Sequence, residues 1–120
     1  MNIKESFHKV DKSIELTSST SLSYTGLNFT IPADSIYCIQ AAAVYWNSQP
    51  NETLITDTYP LPNSWSNEGT VAYRTTDNGP VSVTTGFTGS SSKTLYVYGR
   101  WGSVGRNIAS MTGFYIQLLS

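Results

Sequence analysis

The sequence predicts an all-β fold: an antiparallel β-sandwich, jelly-roll-like, with a short N-terminal helix or arm ahead of it. Three observations predict it. From Ser13 onward apolar residues recur at every second position, the pattern of half-buried strands. Turn-forming clusters such as PADS, NSQPNE and DNGP interrupt that alternation, at the spacing of roughly 8–12 residues seen in sandwiches and jelly rolls. Ser and Thr make up about a quarter of the chain and eight Tyr are added. Thr and Tyr suit strands, and Ser suits turns.

The N-terminal segment departs from this pattern. Ile3, Phe7, Val10 and Ile14 are spaced four, three and four apart, the seam of a helix that packs on other helices. Lys4, Glu5, Lys9, Asp11 and Lys12 fall off the seam. Two heptads do not hold a lone helix in water, because nucleation is costly. Residues 1–15 are therefore expected to be a docking or oligomerisation arm, folded against partner copies or a docking site, and residues 16–120 the head domain. The alternative is an unstructured end that meets the spacing by chance.

The strands follow in order. Ile14 and Leu16 start one before a Ser/Thr-rich connection. Leu27, Phe29 and Ile31 share a face until Pro32 ends the ladder. PADS is a turn, and Ile36 to Trp46 is the longest strand. The turn at 47–52 leads to a strand from Leu54 to Thr58, and the loop YPLPNSWSNEG covers 59–69. Val71, Tyr73 and Thr75 alternate before DNGP, and Val81, Val83, Thr85 and Phe87 alternate after it. TGSSS turns the chain at 88–92. Leu95 and Val97 face opposite to Tyr96 and Tyr98, and the GSVGRN loop precedes a last strand from Ile108 to Leu119. That makes seven or eight strands. Alanine favours helix, so IYCIQAAAVYW is the one rival; its β-branched and aromatic ends and its flanking turns favour strand.

That longest strand is apolar on both sides. Tyr37, Ile39, Ala41, Ala43 and Tyr45 share one face, and on the other only Gln40 is strongly polar. The last strand repeats the theme, with Phe114, Ile116 and Leu118 on one face and Met111, Tyr115 and Leu119 on the other. Both faces of these strands are expected to be covered, one by the core and one by a crossing loop or a second copy. The small residues Ala41, Ala42 and Ala43 would let a neighbouring backbone come close, so a homo-oligomer is expected.

Composition narrows the function classes. A chain of 120 residues is one ordinary domain. Charged residues are 12% of it and the net charge is -1, which speaks against binding nucleic acid through its phosphates. No run approaches the ~18 apolar residues of a membrane span, so membrane insertion is not expected. Cys38 is the single cysteine and reads as a buried thiol.

The acid–base inventory is thin. His8 is the only histidine and lies in the N-terminal segment, so a Ser–His–Asp arrangement is not expected. No cluster of residues suggests a metal, and Asp77-Asn78-Gly79 is a turn. Asp34, Glu52, Asp57, Glu68 and Asp77 lie in or beside turns, so nothing fixes a pair at the separation glycoside hydrolysis needs. No catalytic residue, metal or cofactor is assigned. The candidates for ligand binding are loop aromatics and their neighbours: Tyr59, Trp65 and Trp101, with Arg106 and Asn107 to supply hydrogen bonds.

Three stretches carry a resemblance. TIPADS with YCIQAAAVYWNSQP, the strand KTLYVYGRW and the terminal MTGFYIQLL are similar to the C-terminal β-domains of tail and fibre proteins of tailed bacteriophages. The matching positions are Thr30 to Ser35, Asn47 to Pro50 and Gly113 to Ile116. The resemblance spans about residues 25–120 and concerns fold motifs rather than chemistry. It implies a non-enzymatic, oligomeric virion protein, typically a trimer, that is made in the host cytoplasm, sits among other virion proteins and binds a host-surface receptor or glycan. The short leader fits an excised domain or a small stand-alone virion protein. The alternative function is a capsid or head-fibre decoration protein attached through the N-terminal arm; a small carbohydrate-active enzyme is a third.

Overall fold

A computed structural model describes residues 4–16, 19–44, 51–61, 72–76, 81–101 and 107–119. They form eight strands: β1 (Lys4–Leu16), β2 (Ser19–Ile31), β3 (Ser35–Val44), β4 (Asn51–Thr56), β5 (Ala72–Thr76), β6 (Val81–Phe87), β7 (Lys93–Trp101) and β8 (Asn107–Leu119). The pairs nest like a hairpin doubled over, with β1 on β8, β2 on β7, β3 on β6 and β4 on β5, all antiparallel. Pairing of β3 with β8 and of β4 with β7 joins these into two four-stranded sheets. Sheet A runs β1-β8-β3-β6 and sheet B runs β2-β7-β4-β5. The predicted all-β class is what the described residues show.

The core lies between the sheets, in the manner of a β-sandwich. Sheet A contributes Val10, Tyr37, Ile39, Ala41, Ala109 and Met111; sheet B contributes Leu27, Ile31, Ile55, Leu95 and Val97. Each set follows the period of two along its strands, because alternate side chains point to the same face. Phe29 and Tyr115 join the two sheets at its margin, with ring centroids 5.9 Å apart.

The helix predicted from the spacing of Ile3, Phe7, Val10 and Ile14 is not formed. Residues 4–16 are a strand in unbroken register with β8, from Lys4 opposite Leu119 to Leu16 opposite Asn107. A spacing of four keeps Val10 and Ile14 on one side of a strand as well as of a helix, while Phe7 falls on the opposite side. Val10 is buried in the core, Ile14 is at its exposed margin, and Phe7 points outward. Ile3 lies outside the described residues.

The long strand is buried on one face within the described chain. Tyr37, Ile39 and Ala41 are buried, as the alternation predicts for one face. The other face is not covered by a crossing segment of the described chain: Ile36 and Gln40 are exposed and Cys38 and Ala42 are half-buried. Ala41 belongs to the core, so it does not offer a close approach to a neighbour, and Ala43 lies in β3 opposite Ala109.

The PADS turn between β2 and β3 is held by the turn after β6. Asp34 adopts a φ of 59°, and its N–H donates to the Gly89 carbonyl at 2.7 Å while its own carbonyl accepts from Leu118 N–H at 2.8 Å. The Thr88 hydroxyl donates to the Pro32 carbonyl at 2.8 Å and accepts from Ser35 N–H at 3.0 Å. The turn's polar backbone groups are thus satisfied by chain from elsewhere in the fold.

Candidate functional site: a tyrosine face on sheet B

The outer side of sheet B is built from the alternation in LYVY. Leu95 and Val97 enter the core, so Thr94, Tyr96 and Tyr98 point outward. Strand β2 lies beside them, with Tyr24 opposite Tyr98, Asn28 opposite Tyr96 and Thr30 opposite Thr94. Between the first two of these pairs β2 advances four residues and β7 two, which makes a bulge around Gly26, whose φ is 91°. Thr25 anchors the bulge from within: its hydroxyl donates to the Val97 carbonyl at 2.7 Å and accepts from Leu27 N–H at 3.1 Å. The bulge keeps Tyr24 and Asn28 on the same side, and the Asn28 amide donates to the Tyr24 hydroxyl at 2.8 Å.

The segment after β4 folds back over this face. The Tyr98 hydroxyl donates to the Thr58 carbonyl at 3.0 Å, and Thr58 N–H donates to the Thr56 hydroxyl at 3.1 Å. Lys93 and Asp57 pair at 3.7 Å, and the Tyr59–Pro60 peptide bond is cis. Tyr59 lies on the sheet, stacked on Tyr96 with centroids 5.0 Å apart and planes 21° apart. The edge of Tyr24 meets Tyr59 at 5.1 Å and Tyr96 at 6.0 Å, and Tyr24 tilts against Tyr98 at 5.6 Å. Such offset and edge-on contacts suit the charge distribution of the rings.

The cluster has a dry base and a wet top. Leu54, Thr56 and Tyr98 are buried beneath it, whereas Tyr59 keeps 55% of its surface in water. Burial, with Tyr59 second, pushes the Tyr98 phenol above its usual range. The upper surface offers one broad aromatic plane, a phenol at Tyr24 oriented by Asn28, and the bonded hydroxyls of Thr30 and Thr94 2.8 Å apart. Flat apolar area with polar groups at its border can hold the C–H face of a sugar ring or a proline-rich or aromatic peptide.

Of the ligand candidates taken from the sequence, Tyr59 is in this cluster. Trp65 and Arg106 lie outside the described residues. Trp101 ends β7 opposite Ser19, and Asn107 opens β8 opposite Leu16. Sequence reasoning missed Tyr24, Asn28, Tyr96 and Tyr98 as site residues, although the outward alternation of Tyr96 and Tyr98 was visible.

The remaining polar candidates take other places. His8 stacks on Tyr115 at 4.7 Å and lies within hydrogen-bond distance of the Ser6 hydroxyl. Asp34 is in the PADS turn and Asp57 is paired with Lys93. Glu68 and Asp77 lie outside the described residues, and Glu52 stands in β4 opposite Thr75. Among the described residues no group of three or more His, Cys, Asp or Glu is placed to hold a metal ion.

Compared with known proteins, the chain matches no protein-family model. No curated protein is similar enough to count as a relative.

Proposed function

We propose that the chain is a non-enzymatic binding module: the head domain of an oligomeric bacteriophage fibre or tail protein, made in the host cytoplasm and carried on the virion. It contacts a host-surface glycan or protein through the tyrosine face of sheet B. The observation that carries the binding part is the half-exposed Tyr59 ring, held on Tyr96 by stacking and on the sheet through the Thr58–Tyr98 bond. An aromatic ring fixed before binding loses little freedom on contact, which favours affinity.

The virion part rests on the resemblance of TIPADS and GFYI to tail and fibre domains. Both stretches are fold-forming, since Ser35 lies opposite Gln117 and Ile36 opposite Ile116. We read the fold as a jelly roll, and the nested order β1-β8-β3-β6 against β2-β7-β4-β5 supports that reading. Attachment to a capsid through residues 1–15 as a free arm has less support, because Lys4–Leu16 is a strand of the head itself.

The test is binding of the chain to host cells and to a glycan array. Tyr59→Ala is expected to weaken binding about tenfold or more, as for other buried-on-contact aromatic anchors, with Tyr59→Phe close to the original. Absence of binding to every host surface and glycan, or binding indifferent to Tyr59→Ala, would overturn the proposal.

A further inference from the structure

The outer faces of the two sheets are unlike. That of sheet B is covered by the chain's own Asp57–Leu61 segment and its tyrosines. That of sheet A is not covered by any of the described residues and carries a row of large apolar side chains that crosses all four strands. Phe7 of β1 lies opposite Ile116 of β8, Ile116 opposite Ile36 of β3, and Ile36 opposite Phe87 of β6. Phe7 is 65% exposed, Ile36 48% and Phe87 53%. Phe114 and Cys38, half-buried in the adjoining row, and Leu118 widen the patch, with Phe114 stacked on Phe7 at 5.5 Å. Single exposed apolar residues are ordinary, but a contiguous row of this kind marks an interaction surface.

We infer that this face is covered by a second copy of the same chain, sheet A against sheet A, about a two-fold axis parallel to the strands. Three features favour a copy over a different partner. Read across the sheet, the row is Phe–Ile–Ile–Phe, so a two-fold axis through its centre brings Phe7 against Phe87 and Ile116 against Ile36. An isologous interface requires that self-complementarity. The charged side chains among the described outward positions of the sheet, Lys9, Asp11 and Glu15, all stand on the edge strand β1. The pairing therefore leaves them at the rim, where interfaces carry charge, and leaves none at the centre. Four strands about 4.8 Å apart and some eleven residues of about 3.3 Å each give a face on the order of 700 Å² in plan. That is close to the ~800 Å² per partner of a standard stable interface.

The inference takes up the assembly part of the proposed function and gives it a place. It is independent of what the tyrosine face binds, because that face is on the other sheet. Of the alanines of β3, Ala41 is in the core and Ala42 stands on this outer face, away from the Phe–Ile–Ile–Phe row.

Cys38 provides a reporter that needs no mutation, because its half-buried free thiol sits in the row beside the contact. The experiment measures mass by sedimentation equilibrium and the rate of Cys38 alkylation by a maleimide, over a range of chain concentrations. A reversible dimer is expected, with alkylation slowed about tenfold where nine-tenths of the chains are paired, since only the free chain reacts. Phe87→Lys and Phe7→Lys, both at exposed positions, are expected to give folded single chains with fast alkylation at every concentration. A circular dichroism spectrum unchanged from the original separates this from unfolding, and Val83→Lys, farther from the row's centre, is expected to weaken pairing less. Single chains at high micromolar concentration would overturn the inference, including the case in which Cys38 becomes protected only when another protein is added. So would a dimer or trimer indifferent to both lysine variants.

Discussion

The Tyr98 hydroxyl donates a hydrogen bond to the carbonyl oxygen of Thr58 at 3.0 Å. Strand β7 thereby holds the segment that carries Tyr59. Removing the hydroxyl in Tyr98→Phe is expected to lower stability by about 1 kcal/mol at neutral pH, the usual net worth of one such bond. It should also loosen Tyr59 and so weaken ligand binding while the fold persists. Thermal unfolding and binding measured on the same variant check both effects.

The same residue gives an alkaline signature. Burial holds the Tyr98 proton more tightly in the folded state than in the unfolded chain, where a phenol titrates near 10. The folded state then binds more protons than the unfolded state at high pH, so this contribution to stability is complete below about pH 10 and is lost as pH rises through the higher folded value. Denaturant unfolding between neutral and strongly alkaline pH should show a steeper decline for the original chain than for Tyr98→Phe. Equal declines would contradict it.

Gly113 lies opposite Ile39 at a φ of +145°. A Cβ there would fall far inside contact distance of the Cys38 carbonyl oxygen and at 3.0 Å from the Ile39 Cα. The neighbour is backbone of the central strand pair, which has no room to give. Gly113→Ala is expected to destabilise by roughly 3 kcal/mol or more, or to prevent folding. Thr112→Ala, next to it on the outward side, serves as the control and should change stability by less than about 1 kcal/mol. A melting temperature of Gly113→Ala equal to the original would refute the close packing of β3 and β8.

Thr88 holds the PADS turn from across the fold through two hydrogen bonds of its hydroxyl. Thr88→Val leaves the N–H of the fully buried Ser35 without its partner. A loss of about 2 kcal/mol is expected, with Thr88→Ser restoring most of it.

Thr53 presents the opposite case. Its hydroxyl oxygen is buried with no hydrogen-bond partner among the described residues, although its carbonyl accepts from the Ser82 hydroxyl. Thr53→Val replaces that hydroxyl by a methyl of similar size and leaves the carbonyl in place. Stability should be unchanged or raised by up to about 1 kcal/mol, measurable by denaturant unfolding.

The strands that cross the core were legible in the sequence. Tyr37, Ile39 and Ala41, and likewise Leu95 and Val97, alternate because each lies over the buried layer. Strand β1 was misread because it extends past that layer. Of its described inward side chains only Val10 is deeply buried, and polar Ser6, His8 and Lys12 share that side, so the period of two is diluted. Val10 and Ile14 then satisfy a helical spacing equally well. The start of β2 was hidden in its Ser and Thr residues and in the bulge at Gly26. At the tyrosine face, Tyr59 was legible as a loop aromatic. Tyr24 and Tyr96 are brought to it by the pairing of β2 with β7, a register set by contacts more than seventy residues apart in sequence, such as Thr25 with Val97. Periodicity within a strand carries no record of such pairing. The unequal outer faces were half legible: both sides of β3 read as apolar, but not which side the chain itself would cover.

A chemical-shift footprint of a bound host-surface glycan or receptor fragment tests most directly whether sheet B carries the binding surface. The expected result is displacement of the Tyr24, Asn28, Tyr59 and Tyr96 resonances, with Val83, Thr85 and Phe87 of β6 unmoved. Displacement confined to β6 and the outward residues of β3 and β8, with the four sheet B residues unmoved, would contradict it.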